Sequence, residues 1–361
     1  MTCSRRRLLA GVAALPLGGC AGRTGRGISA DPPRWTLPAE VVREPAPWKD
    51  GLDALDDVAP ALRVAFTDAR GYEPLPPPKR GEWRAVRPEP AQSVAEFREF
   101  GPNARVAPRD RIVVLPLGEF PLDMVHDDTR FVGMVNTPEL GAIEAMLAAF
   151  FATEIEVMPR EAFPVGRMPR RVDDHGDTQY DARGLLTAAG RRLPAHAHSM
   201  LLLVNVDLFV YEGQRYAFGW STLRNRLGVV GFSRLDPGVH GGYGPAEVPG
   251  VVLRRGLRVV VHEVAHMFGL GHCQAFRCLM NGVLDVEELD RAPMRLCPLC
   301  LRKLHIVTGL DPRARDLALL RVFTALGIAE EAQWLAERVK TLWPDAAPQV
   351  ARSGESAELA E

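Results

Sequence analysis

The chain has 361 residues, 47% hydrophobic and 25% charged, which is ample for one sizeable core with appendages. Forty-four basic side chains are balanced by 45 acidic ones, a net charge of −1, so nothing global points to nucleic acid or to acidic substrates. Thirty prolines and 33 glycines predict long irregular segments.

Taken in order, Arg5, Arg6 and Arg7 precede an apolar run from Leu8 to Leu17. That run is too short to span a bilayer, so residues 1–20 read as an export signal. Leu17-Gly18-Gly19-Cys20 resembles a bacterial lipobox, which implies cleavage before Cys20 and its lipidation. Ser4-Arg5-Arg6-x-Leu8-Leu9 also resembles a twin-arginine signal. The expected location is the bacterial cell envelope, lipid-anchored and facing the periplasm or exterior. The alternative is a cytoplasmic protein with a fortuitous basic start. Residues 21–49, rich in Gly, Pro and Arg, read as a tether. Residues 50–110 are interrupted by Pro74, Pro76, Pro77, Pro78, Pro88 and Pro90 and form an extension with no assigned role. Short helices are expected at 60–66 and 93–100. Trp35, Trp48 and Trp83 are candidates for anchoring the segment to the main body.

From residue 111 the pattern sharpens. Residues 112–117 (IVVLPL) predict a buried strand. A helix follows at 139–151, with Ile143, Met146, Leu147, Phe150 and Phe151 on one side, then a strand at 154–158. Residues 159–178 carry Pro159, Pro164 and Pro169 and read as a loop before a helix at 180–191. Residues 200–206 (MLLLVNV) are almost wholly apolar and predict a central strand. This alternation implies parallel pairing with helices packed on a sheet. Shorter strands are expected at 216–221 and 228–234, then a loop at 236–250 from which His240 or Tyr243 is a candidate to assist chemistry. His126, His175, His196 and His198 fit no ligand motif and are taken as solvated or packed.

The organising stretch is 261–280, VHEVAHMFGLGHCQAFRCLM. It contains His262-Glu263-x-x-His266-x-x-Gly269-x-x-His272. On a helix His262 and His266 lie one turn apart on one face and can reach one metal. Gly269 is the expected helix break, because glycine takes a left-handed cap conformation without steric cost. The chain then folds back and His272 supplies a third ligand. Three neutral imidazoles leave a tetrahedral zinc with one open corner, the arrangement of a catalytic site. Glu263 is not a ligand in this reading but the general base beside it.

Cys273, Cys278, Cys297 and Cys300 follow as C-x4-C…C-x2-C, with Met280 two residues after Cys278. With Cys3 in the signal and Cys20 as the anchor, no cysteine is left over. Outside the cytoplasm these four could instead form two disulfides. His305 is an alternative ligand to one of them. Pro298 suits the first turn of a helix over 299–307. Residues 316–326 and 328–343 read as an amphipathic helical hairpin broken at Gly327, and the tail after Pro344 as disordered.

Taken together, these residues resemble the metzincin zinc peptidases, and the Cys after the third His with the later C-x-x-C resembles the archaemetzincin branch. Segments 178–186 (TQYDARGLL), 206–210 (VDLFV), 216–220 (YAFGW) and 229–235 (VVGFSRL) extend the resemblance over roughly 111–310. One departure is the 16 residues between Met280 and Cys297, one fewer than the family spacing. The resemblance implies an α+β metzincin-like fold, a twisted mixed sheet whose antiparallel edge strand borders the cleft. It implies two zinc ions: a catalytic one on the three histidines, and a structural one on Cys273, Cys278, Cys297 and Cys300. It makes Met280 the methionine of a turn beneath the catalytic metal. The expected organisation is signal 1–20, tether 21–49, extension 50–110, catalytic domain 111–310, hairpin 311–343 and tail 344–361.

The functional expectation is a zinc-dependent peptidase acting on peptide or protein substrates. Its rival is a non-catalytic, lipid-anchored zinc scaffold or peptide-binding module, disfavoured by the intact Glu263. A zinc-ribbon nucleic-acid binder is disfavoured by the neutral net charge and the export signal. Substrate preference and oligomeric state are not legible.

Overall fold

In a computed structural model, residues 48–119, 137–237, 242–244 and 246–346 are described. The signal, Cys3, Cys20, tether residues 21–47, Trp35, His126, His240 and tail residues 347–361 lie outside them. The architecture is α+β, built on a five-stranded mixed sheet. Its strands are β1 (Arg111–Leu117), β2 (Ile155–Val157), β5 (Ala197–Val204), β7 (Gly219–Ser221) and β8 (Leu227–Gly231), in the order β2-β1-β5-β8-β7. All neighbours are parallel except β7, which runs antiparallel to β8 at the edge.

The apolar runs explain the layering. Successive strand residues point to opposite faces. Ile112, Val114, Leu201, Leu203 and Val230 therefore enter one core, whereas Val113, Leu115, Met200, Leu202 and Val229 enter another. Both faces are covered, which is why these strands are apolar throughout instead of alternating. Helix Leu140–Phe151 and the long helix Val248–Met267 pack on the first face, and helix Ala182–Ala189 on the second.

Between residues 159 and 210 the structure departs from the loop-then-helix expectation. Here β3 (Arg170–Val172), β4 (Thr178–Asp181) and β6 (Asp207–Phe209) form a second sheet, with β3 antiparallel and β6 parallel to β4. The helix expected from 180 consequently starts at Ala182, because Tyr180 and Asp181 are committed to β6. Asp181 also caps that helix by accepting a hydrogen bond from Arg183 N. The strand expected from 216 contracts to Gly219–Ser221 because Ala217 pairs with Leu208 of β6 instead.

The N-terminal extension is packed, not loose. Phe66 and Phe97 are fully buried in the same core as the long helix, each contributing about 2 kcal/mol of burial. Arg302, fully buried on helix Pro298–Thr308, donates to Asp53 at 2.9 Å and Asp57 at 2.6 Å. Trp48, at the end of the expected tether, packs edge-on against Phe276. Helices Pro312–Ala325 and Ala329–Leu342 form the C-terminal hairpin, joined by Arg338 Nε donating to Asp316 at 3.1 Å. Trp334 of the hairpin donates to Gly71 O of the extension. Ala346, two residues into the expected tail, is buried. Among the described residues no helix is long and apolar enough to cross a membrane.

Candidate metal centre

Helix Val248–Met267 positions the first two histidines. Pro249 occupies its first turn, where a missing N–H costs nothing. The helix ends at Met267, and Gly269 takes φ +97°, a left-handed turn that sends the chain back. A Cβ there would lie 2.9 Å from Pro102, so space and backbone both require glycine. Asn103 closes the helix end by donating to Met267 O at 2.8 Å.

The reversal brings His272 to His262 and His266, and their ligand nitrogens all lie within 4.8 Å of one another. His262 Nε2 and His266 Nε2 are 3.0 Å apart. Each ring's other nitrogen is already engaged. His262 Nδ1 meets Leu279 O at 2.9 Å, His266 Nδ1 meets Leu270 O at 2.6 Å, and His272 Nδ1 meets Glu89 Oε2 at 2.6 Å. Donation at Nδ1 fixes the tautomer and leaves each Nε2 with a lone pair free for a metal. Burial holds His262 well below the usual histidine range and pushes His266 down to about 3. Both rings are therefore neutral at pH 7, the form that binds a metal. This donor set fits a divalent ion with borderline-soft preference, such as zinc.

Glu263 is 6% exposed and faces edge strand β7. Burial pushes its carboxyl up to about 7, against the pull of Ser221, His272 and Arg258. A Cβ on Gly219 would come within 2.7 Å of Glu263 Cγ. The edge strand thus lies directly on the carboxylate, an approach only glycine permits.

Cys273, Cys278, Cys297 and Cys300 form a second, fully separate donor cluster, with their sulfurs also within 4.8 Å of one another. Cys273 Sγ and Cys297 Sγ are 3.6 Å apart and all four thiols are free, far from the 2.05 Å of a disulfide. Hydrogen bonds from the other three sulfurs hold Cys273 well below the usual thiol range. Burial pushes Cys297 well above it, and the neighbouring sulfurs do the same to Cys300. Four buried sulfurs within 4.8 Å of one another are a donor set that a tetrahedral zinc would fit, holding them as thiolates. Asn281 shapes the loop between the clusters: its Oδ1 accepts Cys278 N, and its Nδ2 donates to Cys273 O and Phe276 O. Met280 is buried in this turn, and its carbonyl accepts Cys273 N.

The remaining candidates lie elsewhere. Tyr243 OH donates to Asp290 at 3.1 Å. His196 meets Glu156, and His175 is exposed in the loop of the β3–β4 hairpin. His198 is buried and stacks on Phe268 with centroids 3.9 Å apart. His305 Nδ1 contacts Leu310 O, outside the sulfur cluster.

Residues 226–306 match the model of peptidase family M54. Archaemetzincin-2 of Pongo abelii is 28% identical over 197 residues, covering 48% of this chain and 55% of that protein. Over this region the chain is similar to the archaemetzincins. Archaemetzincin-2 of Rattus norvegicus is 25% identical over 277 residues, 69% of this chain and 74% of that one. The chain thus spans about half the length of the first archaemetzincin it matches. The crystal structure of an archaemetzincin from Methanopyrus kandleri aligns with a TM-score of 0.41 and 22% identity, covering 56% of this chain and 98% of that one.

Three residues that shape the site escaped the sequence reading. Glu89 sits 183 residues before its histidine in a proline-broken segment. Arg258 is one turn before His262 on the same helical face and donates to Leu279 O and Asn281 O. Its spacing from His262 and His266 was the available signal. Asn103 carried none.

Proposed function

We propose that the chain is a zinc-dependent peptidase. The observation that carries this is the convergence of three imidazoles, each with its Nδ1 engaged, beside the buried carboxylate of Glu263. His262, His266 and His272 would hold the zinc, which would supply Lewis acidity toward a carbonyl and toward water. Glu263, buried beside the histidines, would accept a proton from the attacking water and deliver it to the departing amine. Edge strand β7 offers free backbone groups along which an extended peptide can pair. Its closeness to Glu263 sets such a peptide beside the base. The cysteine cluster takes a second, structural zinc that braces the turn following His272. Met280 lies in the turn whose preceding carbonyl, Leu279 O, orients His262. The export signal and Cys20 extend the proposal to an envelope-anchored enzyme, with peptides or proteins as substrates.

The test uses a diverse peptide library with and without a chelator. Wild type should cleave and the chelator should stop it. Glu263→Gln should keep two zincs and lose turnover, whereas His266→Ala should lose one zinc of two. A Glu263→Gln enzyme as active as wild type refutes the mechanism. A wild type with two zincs and no cleavage of any peptide favours a non-catalytic zinc scaffold.

A further inference from the structure

The segment from Trp83 to Gln92 lies along the histidine cluster like a strap, and it is fastened at several points. Trp83 N donates to the Glu288 carboxylate at 3.1 Å, and Arg84 Nε to Gln274 Oε1 at 2.8 Å. Gln92 Oε1 accepts Gly271 N at 3.0 Å, immediately before His272. Lys303 donates to the Gln92 carbonyl. Between these points Trp83 stands edge-on to the His272 ring, centroids 5.0 Å apart, and Glu89 Oε2 reaches His272 Nδ1.

The three histidines differ in how they are held. His262 and His266 ride on a regular helix, and each Nδ1 meets a backbone carbonyl of the same domain. His272 lies beyond the helix in irregular chain, and the contact to its Nδ1 is a side chain from the extension. Nδ1 and Nε2 occupy opposite flanks of an imidazole. A carboxylate on Nδ1 therefore leaves the Nε2 of the same ring available to a metal.

We propose that Glu89 is a positioning residue of the metal centre, and that the strap around it completes the site instead of acting as a removable cover. The carboxylate holds His272 as the Nδ1–H tautomer and fixes the rotation of a ring that has no helical support. A charged acceptor holds the ring more strongly than a carbonyl does. Trp83, edge-on to the ring with centroids 5.0 Å apart, narrows the room in which it can turn.

The inference rests on reading the three histidines as one metal site, and the experiment separates the two. Full-length protein is titrated with a zinc chelator while both zincs are followed. Glu89→Ala should weaken the histidine-held zinc by on the order of 10–100-fold, and leave the cysteine-held zinc in place, which also reports an intact fold. Glu89→Gln keeps an acceptor oxygen without the charge and should fall between. With cobalt at the histidine site, Glu89→Ala should keep the wild-type visible band positions and intensity, because no ligand is lost. Unchanged histidine-site affinity in Glu89→Ala overturns the inference. So does a cobalt spectrum that changes coordination, which would make Glu89 a ligand, or a gain of peptidase activity, which would make the strap a cover. If wild type itself binds zinc at the cysteines alone, the metal-site reading fails instead.

Discussion

Adding one methyl group at Gly219 should disable the site without removing its metal. An ideal Cβ there would stand 2.7 Å from Glu263 Cγ and 2.8 Å from both Cδ and Oε1. Gly219 has no positive φ, so the backbone accepts alanine and the whole penalty is steric. Glu263 is held on a buried stretch of helix, and β7 is held by its pairing with β8. One of them must shift by several tenths of an ångström. Overpacking of this kind costs about 1–3 kcal/mol, and displacing a reacting group by 1 Å can cost on the order of 100-fold in rate. Gly219→Ala should therefore lower the denaturant midpoint, retain its metal and turn over peptide at least tenfold more slowly. Gly219→Ala/Glu263→Ala should recover most of the lost stability, since the clash partner is gone. A Gly219→Ala protein with wild-type stability and turnover refutes the argument, as does a double variant no more stable than the single one.

Two further outcomes can be checked. In protein stripped of histidine-bound metal, the Glu263 carboxyl is raised from 4.5 to about 7. Its protonated form stabilises the fold fully below about 4.5, and that contribution is lost as pH rises through about 7. Glu263→Gln should accordingly exceed wild type in stability by ~3 kcal/mol at pH 8 and match it near pH 4, as read from urea unfolding at each pH; a pH-independent difference contradicts the assignment. Cys278→Ser removes a fully buried sulfur from the second cluster. Metal analysis should show one zinc fewer, and thermal unfolding should show a loss of several kcal/mol; a variant with full metal content would argue against the four-sulfur site.

What the sequence disclosed and what it hid follow from range. The His262-x3-His266 spacing and the apolar strands at 112–117 and 200–206 carry their geometry locally, in a 3.6-residue or a 2-residue period. The Gly269 break is local too, because φ +97° demands a residue without Cβ. β3, β4 and β6 are three or four residues long, too short to display a period, and they exist because they pair with one another. The β4 residues therefore looked like the start of a helix. Glu89, Asn103 and Gly219 act entirely through partners distant in sequence, and no local pattern distinguishes them from other loop or strand residues. The extension's place against the site was hidden for the same reason.

His272 and Cys273 are successive residues that point into different donor clusters. A single peptide bond thus makes the two sites thermodynamic neighbours: ordering either side chain lowers the entropy that the next ion must overcome. Such linkage is reciprocal, so the two ions should load cooperatively, and a thiol oxidant should loosen the imidazole site without touching it.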